Sequence, residues 1–196
     1  MSRIMSYTEV ESWVRSVLPE KRFKHSLGVA STAAMLASRF LIDNEAALIT
    51  GIYHDAYRYI GYDEAMDEVR RYGISIYPEE EENANLLHAP IAAFHMRADI
   101  GLVPESWVRA VRFHTLGSKD MGALGAVIYI ADYCEPGRKH IDDEERKRIF
   151  SLASLEEMVL HILASQNRYF KERGISNARI TDELYSFLGD GGRFES

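Results

Sequence analysis

Apolar residues recur along the chain at the three- and four-residue spacing of amphipathic helices, with no sustained alternation of period two. Val10, Trp13, Val14 and Val17, for example, share one helical face before Pro19. The pattern predicts an all-α fold, a single bundle of helices. The predicted helices cover residues 8–18, 21–40, 44–53, 64–72, 90–100, 105–113, 121–133, 142–153, 155–173 and 181–188.

Capping residues mark several of these boundaries. Asp43 or Asn44 can cap the third helix. Asp63 can cap the next, which Gly73 ends because glycine accepts the left-handed conformation that follows a last turn. Pro90 suits the first turn of its helix, where the missing N–H would be unpaired in any case.

The segment 74–83 separates two helical halves. It contains Pro78 and the acidic run 79–82, which is typical of a solvated loop rather than of an acidic binding device. The sequence has neither an internal repeat nor a linker long enough to divide it. We therefore expect one domain over residues 1–188 and a flexible C-terminal tail over residues 189–196.

Charge and cysteine content restrict the possible function classes. The 196 residues include 23 Lys and Arg against 30 Asp and Glu, a net charge of −7, which excludes a generally basic nucleic-acid coat. Cys134 is the single cysteine, so no intrachain disulfide can form and a cytoplasmic location is expected. The opening segment 1–7 is too polar for a signal-peptide core, and the uncharged apolar run 121–131 is far shorter than the roughly 20 residues of a membrane span.

Several familiar catalytic motifs are absent from the sequence. It contains no phosphate-binding GxxxxGK[ST], no GxSxG nucleophile elbow, no CxxC pair and no HExxH. Cys134 at a helix end fits a small buried residue better than a nucleophile. The remaining candidates for chemistry are histidines and aspartates.

His54 and Asp55 stand side by side where an apolar helix ends, so imidazole and carboxylate can both face one cation. His25 lies among apolar and small residues of the preceding helix, and Asp132 ends a later apolar helix, where an unpaired carboxylate is costly to bury. Each residue alone also fits a structural role, as a hydrogen-bonded core histidine or a capping aspartate. Together they favour a metal site.

Two more histidines, His88 and His114, lie at predicted helix boundaries, where side chains can converge on a cavity. His95 competes with His88 because it follows two helical turns later on nearly the same face. With the four residues above, these positions predict a binuclear metal site between helices.

The sequence around these residues resembles the HD-domain metal-dependent phosphohydrolase superfamily, whose ordered ligands match His25, His54-Asp55 and Asp132. Within it, five blocks resemble the YqeK-type branch, the symmetrical diadenosine tetraphosphate hydrolases. The similarity extends over residues 8–188. The blocks are RFKHSLGVA (22–30), GIYHDAYR (51–58), LHAPIAA (87–93), VRFHTLG (111–117) and IADYCEPGR (130–138).

The resemblance implies two bound divalent transition-metal ions, commonly iron, with manganese or cobalt as alternatives. The implied ligands are His25, His54, Asp55 and Asp132 at one ion, and His88 and His114 at the other, with Asp55 shared. We prefer His88 to His95 because His88 alone has the family's His-Ala-Pro context. His140 and His161 match no ligand block.

The resemblance also implies a reaction: symmetrical hydrolysis of diadenosine tetraphosphate into two ADP by attack of a metal-activated hydroxide on an inner phosphorus. Asp55, His88 and His114 take the catalytic role in this interpretation. Two alternatives remain open, namely hydrolysis of another nucleotide by the same site and a catalytically silent module that binds metal or nucleotide. The resemblance hints at a homodimer, and we expect no nucleic-acid or membrane partner.

Basic side chains beside the ligand blocks can bind phosphate oxygens. The substrate-binding candidates are Arg22, Arg58, His88, His114, Thr115 and Arg138. Arg58 stands where the family usually has lysine, which keeps the positive charge but replaces a point charge by a planar fork. Arg179 stands near a position where the family normally has proline, so the segment 174–181 is assigned no role.

Overall fold

The computed structural model describes residues 3–195, so the predictions for residues 1–2 and for residue 196 of the tail lie outside the described residues. Within that range the chain forms eleven helices and no strand, which confirms the all-α prediction. None of these described helices is long and apolar enough to cross a membrane. The helices are α1 (Tyr7–Val17), α2 (Glu20–Phe40), α3 (Asn44–Tyr53), α4 (Tyr62–Tyr72), α5 (Pro78–Glu82), α6 (Ala84–Ile100), α7 (Glu105–Arg112), α8 (Gly122–Cys134), α9 (Asp143–Ser151), α10 (Leu155–Glu172) and α11 (Arg179–Gly189).

Helix α8 lies at the centre of the bundle because its sequence is almost entirely apolar or small. It packs against α2, α3, α7 and α10, and all its residues from 124 to 131 are buried. A smaller apolar cluster joins α4 to α6 and consists of Ala65, Met66, Leu87 and Ile91. The apolar run of α8 ends at Asp132, next to the polar residues considered below.

Helices α2 and α3 approach closely because small residues face each other. A Cβ atom added at Gly51 would lie 2.8 Å from Cα of Ala30, so a larger residue would force the two backbones to shift apart. Asp43 caps α3, as predicted: its carboxylate accepts hydrogen bonds from the N–H groups two and three residues later, at 2.8 and 3.1 Å. The crossing brings the rings of His25 and His54 to 5.4 Å between centroids.

Pro90 lies inside α6 rather than in its first turn, so the predicted start of this helix is wrong. Asn83 caps α6, and its side-chain oxygen accepts a hydrogen bond from the N–H of Asn85 at 3.0 Å. Residues 87–93 are all buried. Their burial outweighs the cost of a proline within a helix.

The acidic run 79–82 is not the predicted solvated loop but part of α5, and Glu80 is fully buried. Its carboxylate accepts two hydrogen bonds from Arg112, at 2.6 and 2.8 Å, and a third from the N–H of Tyr77 at 2.8 Å. A buried charge is tolerated when it is paired and hydrogen-bonded in this way. The ion pair joins α5 to α7.

The cap of α4 also differs from the prediction. Gly61 precedes the helix, and Asp63 lies in its first turn, where a carboxylate still interacts favourably with the helix dipole. Gly73 ends the helix with a φ of 63°, as predicted. Other predicted boundaries differ from the observed ones by only a few residues.

The C-terminal residues, for which a flexible tail is predicted, contact the bundle. The N–H of Phe194 donates to the carboxylate of Glu156 at 3.1 Å, and the carbonyl oxygen of Glu195 accepts from the N–H of Ala123 at 2.7 Å. The Phe194 side chain is buried. These contacts hold residues 194 and 195 against α8 and α10, and the domain boundary at residue 188 stays a prediction.

Candidate metal centre and adjoining cavity

The six residues predicted as metal ligands lie together in the structure, most of them where helices end. Apolar helices lead to this region, so the polar side chains follow the last buried turns. Their places are His25 in α2, His54 and Asp55 just after α3, His88 in α6, His114 just after α7, and Asp132 in the last turn of α8.

Asp55 lies at the centre, and its two carboxylate oxygens face different histidines. Oδ2 is 3.2 Å from Nε2 of His54 and 3.5 Å from Nε2 of His25. Oδ1 is 3.1 Å from Nε2 of His88. Two sets of potential ligand atoms, each within 4.8 Å of one another, therefore share this aspartate. The sets are His25–His54–Asp55 and Asp55–His88–His114.

We call the first set, together with Asp132, the first position, and the second set the second position. Asp132 belongs to the first position because its Oδ1 lies 2.9 Å from Nε2 of His25 and 3.8 Å from Nε2 of His54. Its side chain is 22% exposed, against 4% for Asp55. Asp132 therefore forms the side of the cluster that solvent reaches.

Three of the four histidines are oriented by their own helices. Each ring donates a hydrogen bond from Nδ1 to the carbonyl oxygen three residues earlier. For His54 and His114 these carbonyls lie in the last turn of a helix, where they lack a helical partner. The bonds join His54 to Gly51 (2.7 Å), His88 to Asn85 (2.9 Å) and His114 to Val111 (2.7 Å). The arrangement leaves Nε2 of each ring directed into the cluster.

The second position fits a cation. The rings of His88 and His114 meet with their Nε2 atoms 3.0 Å apart. Nδ1 of each ring donates to a carbonyl oxygen, so in the neutral form of the ring Nε2 presents a lone pair. Two lone pairs at this separation repel each other unless a positive charge lies against both, so the pair suits a shared divalent ion.

The first position also fits a cation. Nε2 of His54 is completely buried and makes no hydrogen bond within the described part of the chain. A buried polar atom without a partner is costly and calls for an explanation. A buried imidazole nitrogen beside the carboxylates of Asp55 and Asp132 is a ligand set that divalent transition metals accept.

Charges within the cluster move the pKa values of its members in different directions. Burial, followed by the neighbouring His54 and His88, lowers the pKa of His114 to about 3, so this ring is neutral at pH 7. Burial also disfavours a charged His54, but Asp55 and Asp132 outweigh it and raise the His54 pKa. Burial alone would raise the pKa of Asp55, yet His54 and His88 hold it well below its usual value. The first position therefore favours positive charge.

Two of the predicted substrate-binding arginines contact carboxylates of the predicted metal ligands. Arg22 donates from Nη1 to Oδ2 of Asp55 at 2.8 Å. Arg138 donates to the carboxylate of Asp132 and, from Nε, to the carbonyl oxygen of the same residue at 2.6 Å. Both guanidinium groups are partly exposed. They therefore place positive charge at the open side of the first position.

Two further predicted residues lie at the edge of the cluster. Thr115 follows His114, and its hydroxyl is buried without a hydrogen-bond partner within the described residues. Arg58 donates to the side-chain oxygen of Asn85 at 3.0 Å, on the residue whose carbonyl orients His88. Thr115 thus lies directly after the predicted ligand His114, whereas Arg58 reaches the second position only through Asn85.

Sequence reasoning assigns no role to Glu135, yet this residue contacts His25, one of the predicted ligands. Its carboxylate is buried and accepts a hydrogen bond from Nδ1 of His25 at 3.0 Å. Glu135 follows Asp132 by three residues at the end of the same apolar helix, a spacing that places both on one face. That spacing is the feature of the sequence that indicates a place for Glu135 near the predicted site.

A cavity of about 760 Å³ opens beside the first position, a volume that accommodates a small-molecule ligand of nucleotide size. Its far wall includes Gln166 and Tyr169 of α10, and the hydroxyl of Tyr129 donates to Gln166 at 2.9 Å. Aromatic rings in this wall offer flat surfaces for stacking. The wall nearest the metal positions is formed by His114, Thr115, Asp132 and Arg138.

The other three histidines lie outside the cluster. His95 pairs with Glu68, although it shares a helix with His88. His161 lies 2.6 Å from the carboxylate of Glu145. His140 is exposed. None of the three belongs to a group of potential metal ligands among the described residues.

Comparison with known proteins places the chain in a family. The HD domain family matches residues 22–137. A symmetrical bis(5'-nucleosyl)-tetraphosphatase of Halalkalibacterium halodurans is 35% identical over 130 residues, which cover 64% of this chain and 67% of that protein. The protein of the same name in Bacillus subtilis is 35% identical over 144 residues, 73% of this chain and 77% of that protein.

A solved structure shares the fold. It is the crystal structure of a "predicted HD superfamily hydrolase involved in NAD metabolism" from Clostridium acetobutylicum, with a TM-score of 0.86 and 29% sequence identity. The match covers 96% of this chain and 100% of that one. The matched HD domain also contains every residue of both metal positions. The chain therefore belongs to the HD-domain family, in the branch of the symmetrical bis(5'-nucleosyl)-tetraphosphatases.

Proposed function

We propose that this chain is a metal-dependent enzyme that hydrolyses diadenosine tetraphosphate symmetrically into two ADP. The observation that carries the proposal is the pair of ligand sets that share Asp55 and adjoin a cavity of nucleotide size. The names of the relatives in the same family support the substrate. The cavity and the cluster have His114 and Asp132 in common, so a ligand in the cavity can reach the metal positions.

HD domains bind divalent metal ions, and both positions offer ligands suited to them. We propose two ions, with iron as the native metal and manganese or cobalt able to replace it, because imidazole and carboxylate ligands accept all three. Bound ions of this kind supply water of lowered pKa and neutralise phosphoryl oxygens. The proposed ligands are His25, His54, Asp55 and Asp132 for one ion and Asp55, His88 and His114 for the other.

We assign the catalytic role to Asp55, His88 and His114. Asp55 fixes the two positions relative to each other, since each of its oxygens faces one of them. The low pKa of His114 keeps its Nε2 lone pair available at neutral pH. No side chain needs to act as a general acid, because the departing ADP is already a stable anion.

Arg22, Arg138 and Thr115 bind the phosphate oxygens in this proposal. Each guanidinium uses part of its fork on a ligand carboxylate and retains further N–H donors. The buried hydroxyl of Thr115 is free to donate towards the cavity. Arg58 adds positive charge at the second position. This local charge offsets the net −7 of the chain for an anionic substrate.

Symmetrical cleavage follows from how the substrate is placed. One nucleoside half occupies the cavity, and its second phosphate lies at the metal positions. Water adds to this inner phosphorus, the central P–O–P bridge breaks, and the bridging oxygen leaves with the other half. Each product then carries two phosphates.

The test is hydrolysis of diadenosine tetraphosphate by chelator-stripped protein, with and without ferrous or manganous ion, with the products separated by chromatography. We expect ADP as the sole metal-dependent product. AMP together with ATP would contradict the cleavage position, and no product with either metal would contradict the activity. A panel of other nucleotides at equal concentration tests the alternative substrates.

A matched pair of variants on one helix tests the site itself. His88→Ala removes a ligand of the second position, whereas His95→Ala removes a histidine two turns later that pairs with Glu68. We expect the first variant to lose turnover and the second to retain it, with both remaining helical by circular dichroism. Equal activity of the two variants would contradict the assignment of His88.

We also propose that the protein is a cytoplasmic homodimer. The family resemblance supports the dimer. Cys134 is the only cysteine, and burial raises the pKa of its thiol to about 12, as suits a structural residue in a reducing compartment. Light scattering of the purified protein and cell fractionation test the two statements.

A further inference from the structure

We infer that the two metal positions differ in affinity and that Glu135 causes much of the difference by strengthening the first position. The inference rests on the proposed metal centre. It makes Glu135 a positioning residue that acts through His25. Loading of the two positions is then sequential, with the first position filled before the second.

The acceptor of the Nδ1 hydrogen distinguishes His25 from the other three histidines. His54, His88 and His114 donate to neutral carbonyl groups, whereas His25 donates to the carboxylate of Glu135 at 3.0 Å. A carboxylate acceptor makes the opposite ring nitrogen a stronger electron donor and fixes the ring orientation. Nε2 of His25 is the atom that faces Asp55 and Asp132.

The Glu135 carboxylate lies in a place shaped to hold it. One of its oxygens accepts a hydrogen bond from the N–H of Gly137 at 2.5 Å. A Cβ atom at Gly28 would lie 2.6 Å from that same oxygen, so α2 has room for the carboxylate only because residue 28 is glycine. The carboxylate is 5% exposed, and its one ion pair among the described residues is with His25. The imidazole of His25 is therefore the side chain that the Glu135 carboxylate orients.

The number of carboxylates points in the same direction. Apart from the shared Asp55, the first position has Asp132 as a proposed ligand and Glu135 behind His25, whereas the second position has only two imidazole rings. The two guanidinium groups at the first position donate to its ligand carboxylates and offset part of their charge, but neither donates to the Glu135 carboxylate. The first position therefore offers a divalent cation two carboxylate ligands and an imidazole that a third carboxylate supports.

The experiment is titration of the chelator-stripped protein with Mn²⁺ alone, followed by calorimetry and by the electron paramagnetic resonance of free Mn²⁺. We expect two binding steps of unequal affinity in the unmodified protein. In Glu135→Gln, which keeps the shape and removes the charge, the dissociation constant of the tighter step should rise by about 10- to 100-fold, while the weaker step changes little.

Two further variants complete the test. Gly28→Ala leaves Glu135 in place but displaces its carboxylate, so it should weaken the same step and serves as the deciding variant if Glu135→Gln does not fold. Glu68→Gln is the matched control, because Glu68 also pairs with a histidine, His95, outside the cluster. It should leave both steps unchanged.

The outcomes separate the inference from the proposal on which it rests. Equal affinities in the unmodified protein, or unchanged steps in both Glu135→Gln and Gly28→Ala, would overturn the role of Glu135 while leaving the binuclear centre in place. An equal weakening of both steps would overturn it as well. If the unmodified protein binds no Mn²⁺, the metal-dependent function itself fails.

Discussion

The two metal positions are held in place by different kinds of contact. The first position lies on α2, α3 and α8, whose backbones approach through small residues, as at Gly51 and Ala30. The second position depends on α6 and α7, which also pack into the core and are connected to the rest of the site by additional hydrogen bonds between distant side chains. Close backbone packing thus marks the first position, whereas the second position adds long-range polar contacts to its packing.

Two sets of polar contacts surround the second position. Tyr53 and Tyr57, on either side of His54-Asp55, donate to the carboxylate of Asp99 in α6 at 2.7 and 3.0 Å. The buried pair of Glu80 and Arg112 connects α5 to the turn of α7 that leads to His114. The stability of a packed contact depends mainly on side-chain volume. The stability of these polar contacts depends on single hydrogen-bonding atoms or charges.

The largest effect is expected from the residue that both positions share. Asp55→Asn keeps the shape but removes the charge that faces both histidine sets. Loss of several kcal/mol of transition-state stabilisation corresponds to a fall of about 10³-fold or more in kcat/KM. Steady-state hydrolysis assays measure it, and Asp67→Asn in an exposed pair with Arg70 is the control. Activity within tenfold of the unmodified protein would show that the positions do not depend on Asp55.

The next largest effect is expected on stability, at the support of the second position. Glu80→Ala leaves the largely buried Arg112 without its carboxylate partner, which should lower the free energy of unfolding by about 3 kcal/mol. Urea denaturation measures the change. The double variant Glu80→Leu with Arg112→Met should recover much of the loss, since no charge is then buried. A double variant as unstable as the single one would show that packing, not charge, is responsible.

A smaller loss is expected where packing supports the first position. Gly51→Ala places a methyl group against the backbone of Ala30, which cannot move as a side chain can. Overpacking destabilises the protein, and the higher helix propensity of alanine offsets only part of this loss. The free energy of unfolding should fall by about 1–2 kcal/mol. Mn²⁺ titration should show the tighter step weakened more than the weaker one. The reverse order would mean that the α2–α3 crossing does not determine the first position.

The smallest effect is expected from one hydroxyl group. Tyr53→Phe removes the hydrogen bond to Asp99 but keeps the ring, which stacks on Trp13. The free energy of unfolding should fall by about 1 kcal/mol, and the weaker Mn²⁺ step should change more than the tighter one. Tyr62→Phe, which removes an exposed bond to the carbonyl of Glu81, is the control. An unchanged affinity of the weaker Mn²⁺ step would show that the hydrogen bond to Asp99 does not support the second position.

The helices could be predicted because their apolar spacing is local information. The exceptions are places where partners distant in sequence decide the outcome. Pro90 normally indicates a helix start, but burial of the turns around it retains the helix. The composition of the run 79–82 indicates a solvated loop, and only the structure shows that Arg112 faces Glu80. Neither the residues packed around Pro90 nor the partner of Glu80 can be identified from spacing along the chain.

The candidate site shows the same division. The six predicted ligands are histidines and aspartates, most of them at helix ends, and sequence reasoning can recognise both features. Glu135 stands one turn after Asp132, but its partner His25 is 110 residues away in the chain. Its role becomes visible only once α2 and α8 are seen together. The cavity, which depends on α8 and α10, was likewise out of reach.

The orientation of the histidines has a consequence for the order in which the chain folds. The rings of His54, His88 and His114 each donate to a carbonyl oxygen three residues earlier in the chain. Each ring is therefore aligned once its own short helical segment has formed. His25 alone awaits a residue more than half the chain away, and contacts of such sequence separation form slowly because a long loop must close. During synthesis on the ribosome, the first position can therefore be completed only after the C-terminal end of α8 has emerged.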